Sequence, residues 1–305
     1  MKNKFDYLEY NLEELNKKVA SIKSKDKGRR SVLVSKIDLI LSYLLLKTGI
    51  HKRLIFSNLK ITWFKEFERF WLEILEGRPI DIIDFHNLRF SYRSKFQKIE
   101  HTNEMNEKES IKVWQKPENL YLLLGGIWQY TKNDYLNVLH YQKYLPKKGK
   151  ILEYGCGIAP ITTGLLRYFP EKKYVYTIAD INQINYVYAK YLFRGNHQVK
   201  TLDLTPFKNI PPQNEKYQAI TCMTVFEHIP NPLEVAEGFY NSLTNGGVLI
   251  FDYILSEGEG LDSKNSVKER KKVLEFIEKN FEIVYGEVDK SHSMGLTIVR
   301  KGDYK

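Results

Sequence analysis

Residues 151–160 read Ile-Leu-Glu-Tyr-Gly-Cys-Gly-Ile-Ala-Pro, a short apolar run that ends in a glycine turn. Residues 161–166 then have a helical pattern, so the segment predicts a strand, a tight turn and a helix. Glycine is needed where such a turn brings the backbone close to a ligand, because a side chain would intervene. A Gly-x-Gly turn alone does not establish a ligand, since many turns contain one.

Short apolar runs recur beyond this turn and are separated by segments with helical spacing. The first five runs are residues 151–154, 175–179, 199–202, 219–223 and 248–251. Strands that alternate with helices predict an α/β fold, with a mostly parallel sheet and helices on both faces. Two later runs, residues 282–285 and 296–299, complete a predicted sheet of seven strands.

The first half of the chain is predicted to be mostly helical. In residues 5–77, apolar side chains recur at three- and four-residue spacing, and the polar segment 23–28 interrupts the pattern. Residues 32–46 and 61–75 are two of the predicted helices. The polar, aperiodic segment 101–110 is interpreted as a surface loop.

Three regions follow from these patterns. We predict a mostly helical N-terminal region at residues 1–115, a helical connector that packs on the next domain at 116–147, and an α/β domain at 148–305. The N-terminal region would select a substrate or form a protomer interface, so a homo-oligomer is one expectation.

The chain is basic, with a formal net charge of +10. An anionic partner such as RNA could use this charge, but scattered surface lysines would give the same balance. The sequence has only two cysteines, Cys156 and Cys222, and their spacing fits neither a zinc site nor a disulfide framework. A reducing, cytoplasmic setting is therefore expected.

Neither a secretory signal nor a membrane span is expected. Glu9, Glu13 and Glu14 lie where a signal peptide would have its apolar core. The longest apolar stretch, residues 37–46, contains Asp38 and is far shorter than the ~20 residues that span a bilayer.

Asp180 ends the second predicted strand of the α/β domain. A carboxylate at this position can accept both hydrogen bonds from a ribose diol, which indicates a nucleoside as ligand. The same aspartate could instead cap the helix that is predicted to begin near Gln183, and the two roles do not exclude each other.

Residues 148–302 resemble the class I S-adenosylmethionine-dependent methyltransferases, which have a Rossmann-like fold. The glycine turn is similar to the first motif of that family, in which an acidic residue precedes the glycines. The resemblance implies that Glu153 helps to hold the methionine end of the cofactor. It also implies that Gly155 and Gly157 allow the cofactor to approach the backbone. Ala159 departs from the motif, which commonly has a third glycine there.

Further features match the same family in the same order. The resemblance implies that Asp180 binds the ribose and that Asp203 receives the adenine amino group. The Glu-His-Ile-Pro string at 227–230 is similar to the small-molecule branch of the family, and Gly246-Gly247 resembles the turn that ends the helix before the fifth strand. Neighbours of these motifs complete the implied cofactor site: Cys156, Ile181, Leu204 and Met223.

The implied cofactor already carries a reactive methyl group, so few catalytic groups are required of the protein. A methyl group on a sulfonium is already electrophilic, so the protein has to exclude water, align the acceptor and remove a proton. His228 follows the fourth strand and, with Glu227, is the candidate general base, although the pair could instead cap the next helix or orient the loop. Thr224 stands three residues before Glu227, where metal-binding relatives have a further carboxylate, so no metal is expected.

Two absences argue against a nucleic-acid acceptor. Amino-methyltransferases of DNA and RNA place Asn- or Asp-Pro-Pro-aromatic directly after the fourth strand, where this chain has Thr-Val-Phe-Glu at 224–227. The Asn-Ile-Pro-Pro string at 209–212 precedes that strand. Neither cysteine has the neighbouring proline that is expected of a nucleophile attacking a pyrimidine.

Two further segments are candidates for contacts with the ligands. The loop 256–263 contains two glycines that suit a mobile lid, although an ordinary solvated loop would look the same. The segment 125–132 precedes the α/β domain, where relatives often pass over the methionine end of the cofactor. Tyr130 could meet the carboxylate there, or could be a core residue.

The sequence therefore predicts methyl transfer from S-adenosylmethionine to an oxygen or nitrogen of a small molecule or glycan. An RNA methyltransferase is the first alternative, and a non-catalytic regulatory or assembly protein that keeps the cofactor is the second. An NAD-dependent dehydrogenase is disfavoured because it would have a longer Gly-x-Gly-x-x-Gly run and a different strand order.

Overall fold

The computed structural model describes most of the predicted α/β domain and part of the preceding region. The described ranges are residues 63–80, 82–96, 114–129, 142–205, 208–255 and 262–302, with the single residues 40, 112, 138 and 140. Four predictions fall outside these ranges: the helices before residue 63 apart from Ile40, the loop 101–110, Tyr130, and residues 256–261 of the candidate lid.

A seven-stranded sheet forms the centre of the described structure. Its strands are β1 (Lys150–Tyr154), β2 (Val175–Ile181), β3 (Val199–Leu204), β4 (Tyr217–Cys222), β5 (Leu243–Tyr253), β6 (Phe281–Tyr285) and β7 (Met294–Lys301). The strand order is β3-β2-β1-β4-β5-β7-β6. Strands β1 to β5 are parallel, whereas β7 is antiparallel to both of its neighbours. The predicted Rossmann-like, mostly parallel sheet is confirmed.

The burial of the strands explains why the sequence predicted them well. Residues 151–154 of β1 and 247–253 of β5 are buried without a break, as expected for strands covered on both faces. In β3, at the edge of the sheet, only Leu204 is buried. Every predicted run lies within an observed strand, except that Met223 follows the end of β4.

Seven helices of the described residues surround this sheet. Three precede it, α1 (Trp63–Glu73), α2 (Ile82–Phe96) and α3 (Leu120–Gln129), and four connect its strands, α4 (Pro160–Tyr168), α5 (Ile184–Leu192), α6 (Pro232–Ser242) and α7 (Lys264–Asn280). The side chains of α6 and α7 pack on the face that contains Leu152, whereas Ile161 and Leu165 of α4 pack on the opposite face with Ile151. Among the described helices, none is both long and apolar enough to cross a bilayer.

Helix α1 of the N-terminal region packs on α5 of the α/β domain. Phe70 of α1 contacts Tyr188 and Tyr191 edge to face, with ring centroids 5.0 and 5.3 Å apart. An ion pair of 2.6 Å also joins Glu66 of α1 to Arg167 of α4. Helix α1 is therefore attached to the same layer that carries the helix after the glycine turn.

One prediction about the helix ends was wrong. The Gly246-Gly247 pair lies inside β5, because α6 ends at Ser242 and Leu243 already pairs with Tyr217 of β4. The register with β4 shifts between Leu243 and Val248, across these glycines, and Gly246 has a φ of +71°. The glycines therefore allow an irregularity within β5, and they do not end a helix.

Candidate active site

The predicted site residues converge at one edge of the sheet. The glycine turn follows β1, Asp180 lies near the end of β2, Asp203 lies near the end of β3, and the segment 223–228 follows β4. These four strands are adjacent in the order β3-β2-β1-β4 and run parallel, so their carboxyl ends meet. Ligands of open α/β sheets bind at such an edge, where the strand order reverses direction.

The turn after β1 has three residues in the left-handed region of backbone conformation. Gly155, Gly157 and Ala159 have φ values of +62°, +52° and +54°. A Cβ atom at Gly155 would lie 2.3 Å from a methyl group of Val225, whereas one at Gly157 would meet no atom within 4 Å. The space beside Gly157 is open to a ligand. Ala159 adopts the conformation that explains the glycine of the common motif.

Glu153 supports the helix that follows the turn. Its two carboxylate oxygens accept hydrogen bonds from the backbone N–H groups of Ile161 (3.1 Å) and Thr162 (2.7 Å), in the first turn of α4. Burial raises the pKa of Glu153 to about 7. The described contacts of this carboxylate are thus with α4, and its role toward the cofactor stays a prediction.

Asp180 links β2 to the glycine turn. Its carboxylate accepts hydrogen bonds from the backbone N–H groups of Gly157 and Ile181, both at 2.7 Å, and from the side-chain amide of Gln183 at 3.1 Å. Burial raises its pKa to about 6, and these hydrogen bonds oppose the shift. Asp180 contacts the side chain of Gln183 rather than a helix N–H, so it is not the cap of α5.

Asp203 lies opposite Asp180 in the register of β2 and β3. One of its carboxylate oxygens forms an ion pair of 2.8 Å with Lys190 of α5, and 63% of the aspartate side chain is exposed. Lys190 is buried and lies over the ring of Tyr186 at 4.4 Å. This cation was not predicted from the sequence, and it holds Asp203 at the edge of the site.

Four further residues of the implied cofactor site line the same edge. The thiol of Cys156 is buried, and burial raises its pKa well above the ordinary value, which makes it a poor nucleophile. Leu204 is buried, whereas Ile181 and Met223 are half-buried. All four therefore offer apolar or backbone contacts.

The loop after β4 is held by an aspartate that sequence reasoning missed. Asp252 of β5 is buried, and its carboxylate accepts hydrogen bonds from the backbone N–H and the hydroxyl of Thr224. Thr224 has a φ of +56°, so these bonds fix an uncommon backbone conformation. A sequence signal did exist, because Asp252 is a lone acid at the end of the apolar run 248–251.

Glu227 and His228 lie in a short 3₁₀ helix on this loop. Glu227 is 2% exposed, and its Oε1 lies 3.8 Å from Nε2 of His228. Burial, together with the charges of Asp252 and Asp262, raises the pKa of Glu227 to about 8. The other ring nitrogen of His228, Nδ1, lies 3.8 Å from Asp262.

Neither residue of this pair caps the following helix through its side chain. The helix α6 begins after Asn231, and the backbone carbonyl of Glu227 accepts hydrogen bonds from Ser263 and Ser266 at the start of α7. The indole ring of Trp114 meets the imidazole of His228 edge to face, with centroids 5.3 Å apart. Trp114 and Asp262 both come from distant parts of the chain. Asp262 lies in the predicted candidate lid 256–263, although no role was predicted for it, and Trp114 was not predicted as a site residue.

No group of three or more histidine, cysteine, aspartate or glutamate side chains is arranged to hold a metal ion within the ranges that the structure describes.

Residues 127–280 match a family model described as a methyltransferase domain. Because the match covers half of the chain and the sheet has the predicted topology, the chain belongs to this methyltransferase family. The resemblance to class I enzymes is confirmed, and this family membership supports S-adenosylmethionine as the cofactor. The glycine turn fits that cofactor, since Gly157 leaves open space next to the carboxylate of Asp180.

Several solved structures are similar to the described fold. The N-methyltransferase NodS from Bradyrhizobium japonicum WM9 is 13% identical, with 57% of this chain and 88% of that chain covered and a TM-score of 0.42. The 1,6-didemethyltoxoflavin-N1-methyltransferase of Burkholderia thailandensis is 14% identical, with coverages of 65% and 92% and a TM-score of 0.43. An S-adenosylmethionine-dependent methyltransferase from Clostridium acetobutylicum ATCC 824 is 15% identical, with coverages of 57% and 92% and a TM-score of 0.39. No curated protein matches the sequence significantly.

Proposed function

We propose that the enzyme methylates an oxygen or nitrogen of a small molecule or glycan, with His228 as the proton acceptor. The observation that carries this proposal is the position of the Glu227–His228 pair, on the loop after β4 and next to the edge that holds the glycine turn. S-adenosylmethionine supplies an electrophilic methyl group on its sulfonium.

The proposed cofactor contacts follow from the geometry of the edge. Asp180 Oδ2 has one described hydrogen-bond donor, Gly157, and a carboxylate oxygen can accept a second bond from a ribose hydroxyl. Asp203, held by Lys190, would receive the adenine amino group, with Leu204 beside the ring. Asp180 and the glycine turn would thus bind the nucleoside as one unit.

The methionine end of the cofactor would lie near the start of α4. Glu153 would act there by orienting the first turn of this helix, and Gly155 and Cys156 would form the floor of the turn. Met223 would face the ligand from the end of β4, with Ile181 on the nucleoside side. Tyr130 remains a proposed partner of the methionine carboxylate.

His228 has the environment that a general base needs. Its side chain is 23% exposed, so it can exchange a proton with solvent, and carboxylates lie 3.8 Å from each ring nitrogen. Nearby carboxylates stabilise the imidazolium that forms when the base takes a proton. A non-catalytic protein that merely keeps the cofactor would not need this arrangement.

The charges near His228 also bear on the choice of acceptor. Glu227, Asp252 and Asp262 are acidic, and the phosphates of RNA would be repelled by them. A small molecule or a glycan is therefore favoured over a nucleic acid. We further propose a cytoplasmic location, because Cys156 and Cys222 are both free thiols. A homo-oligomer also stays a prediction.

Calorimetric titration with S-adenosylhomocysteine, with NAD as the control ligand, tests the cofactor site. We expect saturable one-site binding of S-adenosylhomocysteine alone. Methyl transfer is then assayed as S-adenosylhomocysteine release with amines, alcohols, sugars and RNA offered as acceptors. Turnover of RNA alone would contradict the proposed acceptor class. A folded protein without bound ligand that does not bind S-adenosylhomocysteine would contradict the cofactor assignment.

A further inference from the structure

Three acidic side chains from different parts of the chain interact near His228, and two of them, Glu227 and Asp262, each lie 3.8 Å from one of its ring nitrogens. Glu227 lies in the 3₁₀ helix after β4, Asp252 lies in β5, and Asp262 lies just before Ser263, the N-cap of α7. Electrostatic interactions join them, because the charges of Asp252 and Asp262 both act on Glu227. Such a cluster has an energetic cost, since like charges repel and buried carboxylates lose their hydration.

Glu227 is the member of this cluster that lacks compensation. Its side chain is only 3% exposed, and its Oε2 has no hydrogen-bond partner among the described residues. Within the described ranges, no lysine or arginine forms an ion pair with Glu227 or Asp252. A buried carboxylate oxygen without a donor is rare in folded proteins and is expected where a ligand supplies the donor.

An organic cation fits this position better than a metal ion does. The described acids and His228 are not arranged as a metal-binding group. The aromatic ring of Trp114, which lies against His228, provides the kind of wall that attracts an organic cation but does not ligate a metal.

We propose that the methyl acceptor is a basic amine that enters the site as an ammonium ion and binds Glu227 as its counter-ion. This inference rests on the proposed function and narrows its acceptor from an oxygen or nitrogen to the nitrogen of an amine. The acidic cluster then offsets two positive charges, that of the ammonium and that of the sulfonium beside it.

The proton balance assigns distinct roles to Glu227 and His228. The entering ammonium displaces the proton that burial keeps on Glu227, and that proton leaves through His228 to solvent. An ammonium nitrogen has no lone pair, so it then gives one proton to the Glu227 carboxylate, on the way to His228 as the final proton acceptor. The freed lone pair forms the nitrogen–carbon bond as the sulfur–carbon bond breaks and its electron pair returns to sulfur. The nitrogen then carries the positive charge, and the proton on Glu227 passes through His228 to solvent, since the imidazole is partly exposed.

Methylammonium tests this proposal, because it is small enough to enter an ammonium site of any shape. Its binding to the enzyme loaded with S-adenosylhomocysteine is measured by NMR titration of ¹³C-methylammonium, with methanol as the neutral control and EDTA present. The wild type, Glu227→Gln and Glu171→Gln are compared. Glu171 is an exposed carboxylate that precedes β2, at the opposite edge of the sheet, and serves as the matched control.

We expect saturable binding of methylammonium in the millimolar range and none of methanol. Glu227→Gln should weaken binding at least tenfold, while Glu171→Gln should leave it unchanged. Absence of saturable binding, or equal binding by Glu227→Gln, would each overturn the proposal. Calorimetry with S-adenosylhomocysteine on the same samples distinguishes a failure of the amine proposal from a failure of the proposed function. If S-adenosylhomocysteine binds and methylammonium does not, the amine acceptor is contradicted and the methyltransferase site is not.

Discussion

The carboxylate of Asp180 accepts a hydrogen bond of 2.7 Å from the backbone N–H of Gly157. This contact joins the end of β2 to the turn after β1, so one side chain both shapes the glycine turn and faces the ligand edge. Two substitutions can separate these functions, because asparagine keeps an oxygen that accepts from Gly157 whereas alanine does not.

Replacing Asp180 should weaken cofactor binding in a graded manner. We expect Asp180→Ala to raise the Kd for S-adenosylhomocysteine tenfold or more, about 1.4 kcal/mol, and Asp180→Asn to have a smaller effect. Calorimetric titration measures both, with Glu171→Ala as the control at the opposite edge. An unchanged Kd in folded Asp180→Ala would exclude the ribose assignment.

A methyl group at Gly157 should block the cofactor without disturbing the protein core. Gly157 and Gly195 both have positive φ values, +52° and +77°, and a Cβ at either would meet no protein atom within 4 Å. Gly157→Ala and Gly195→Ala should therefore each lose about 1 kcal/mol of unfolding free energy from backbone strain. Only Gly157→Ala should lose affinity for S-adenosylhomocysteine. Equal affinities of the two variants would mean that the turn is purely structural.

The stability of the protein should depend on pH through Glu227. Its folded-state pKa of about 8 lies above the ordinary 4.5, because of burial and then the charges of Asp252 and Asp262; His228 faces it as well. The folded state therefore holds a proton that the unfolded state releases. The stability that this proton contributes is complete below pH 4.5 and is lost as the pH rises to about 8.

Glu227→Gln removes this dependence, because glutamine stays neutral. Relative to the wild type, the variant should gain roughly 1–3 kcal/mol of unfolding free energy between about pH 5 and about pH 9. Urea unfolding at both pH values measures the change, and the contribution of Asp252 largely cancels in the comparison. A stability difference that is the same at both pH values would contradict the raised pKa.

Substitution of His228 should affect chemistry rather than cofactor binding. With any acceptor that the wild type methylates, His228→Ala should lower kcat about 10²–10⁴-fold, the usual contribution of a general base. The Kd for S-adenosylhomocysteine should change less than about twofold. His292→Ala is the control, since that side chain is exposed in the turn between β6 and β7. A kcat equal to the wild type would exclude His228 as the base.

The ion pair between Glu66 and Arg167 should stabilise the attachment of α1. Both side chains are mostly buried, so Arg167→Ala should cost about 1.5–3 kcal/mol of unfolding free energy. Lys271→Ala, which removes an exposed pair with Glu275, should cost less than about 0.5 kcal/mol. Urea unfolding measures the unfolding free energy of both variants. Equal losses would show that the buried ion pair stabilises the protein no more than the exposed pair does.

Much of the cofactor edge could be predicted from the sequence, because its residues lie on strand ends that buried apolar runs make visible. The apolar runs before the glycine turn and before Asp180 are continuous, so the positions of Glu153 and Asp180 relative to the sheet could be predicted directly. The start of β5 was harder to predict, since Leu243 to Gly247 are polar or small after the first residue.

The surroundings of His228 could not be predicted in the same way. Asp252 reaches Thr224 only because β5 lies next to β4, and Asp262 and Trp114 approach His228 from two other parts of the chain. Such proximity depends on the strand order and on helix packing, neither of which a local pattern contains. Asp252 had a local signal, as an acid at the end of an apolar strand, and Asp262 lay in the candidate lid, whereas Trp114 had no such signal.

The position of β7 has a consequence for how the protein is made. Strand β7 lies between β5 and β6, and β6 pairs with no other strand of the described sheet. During synthesis, β6 therefore has no strand to pair with until β7, residues 294–301, has also been made. Strands β1 to β5, which support the cofactor turn, precede β7 in the chain and can pair without it, so only the β7–β6 edge has to wait for residues 294–301.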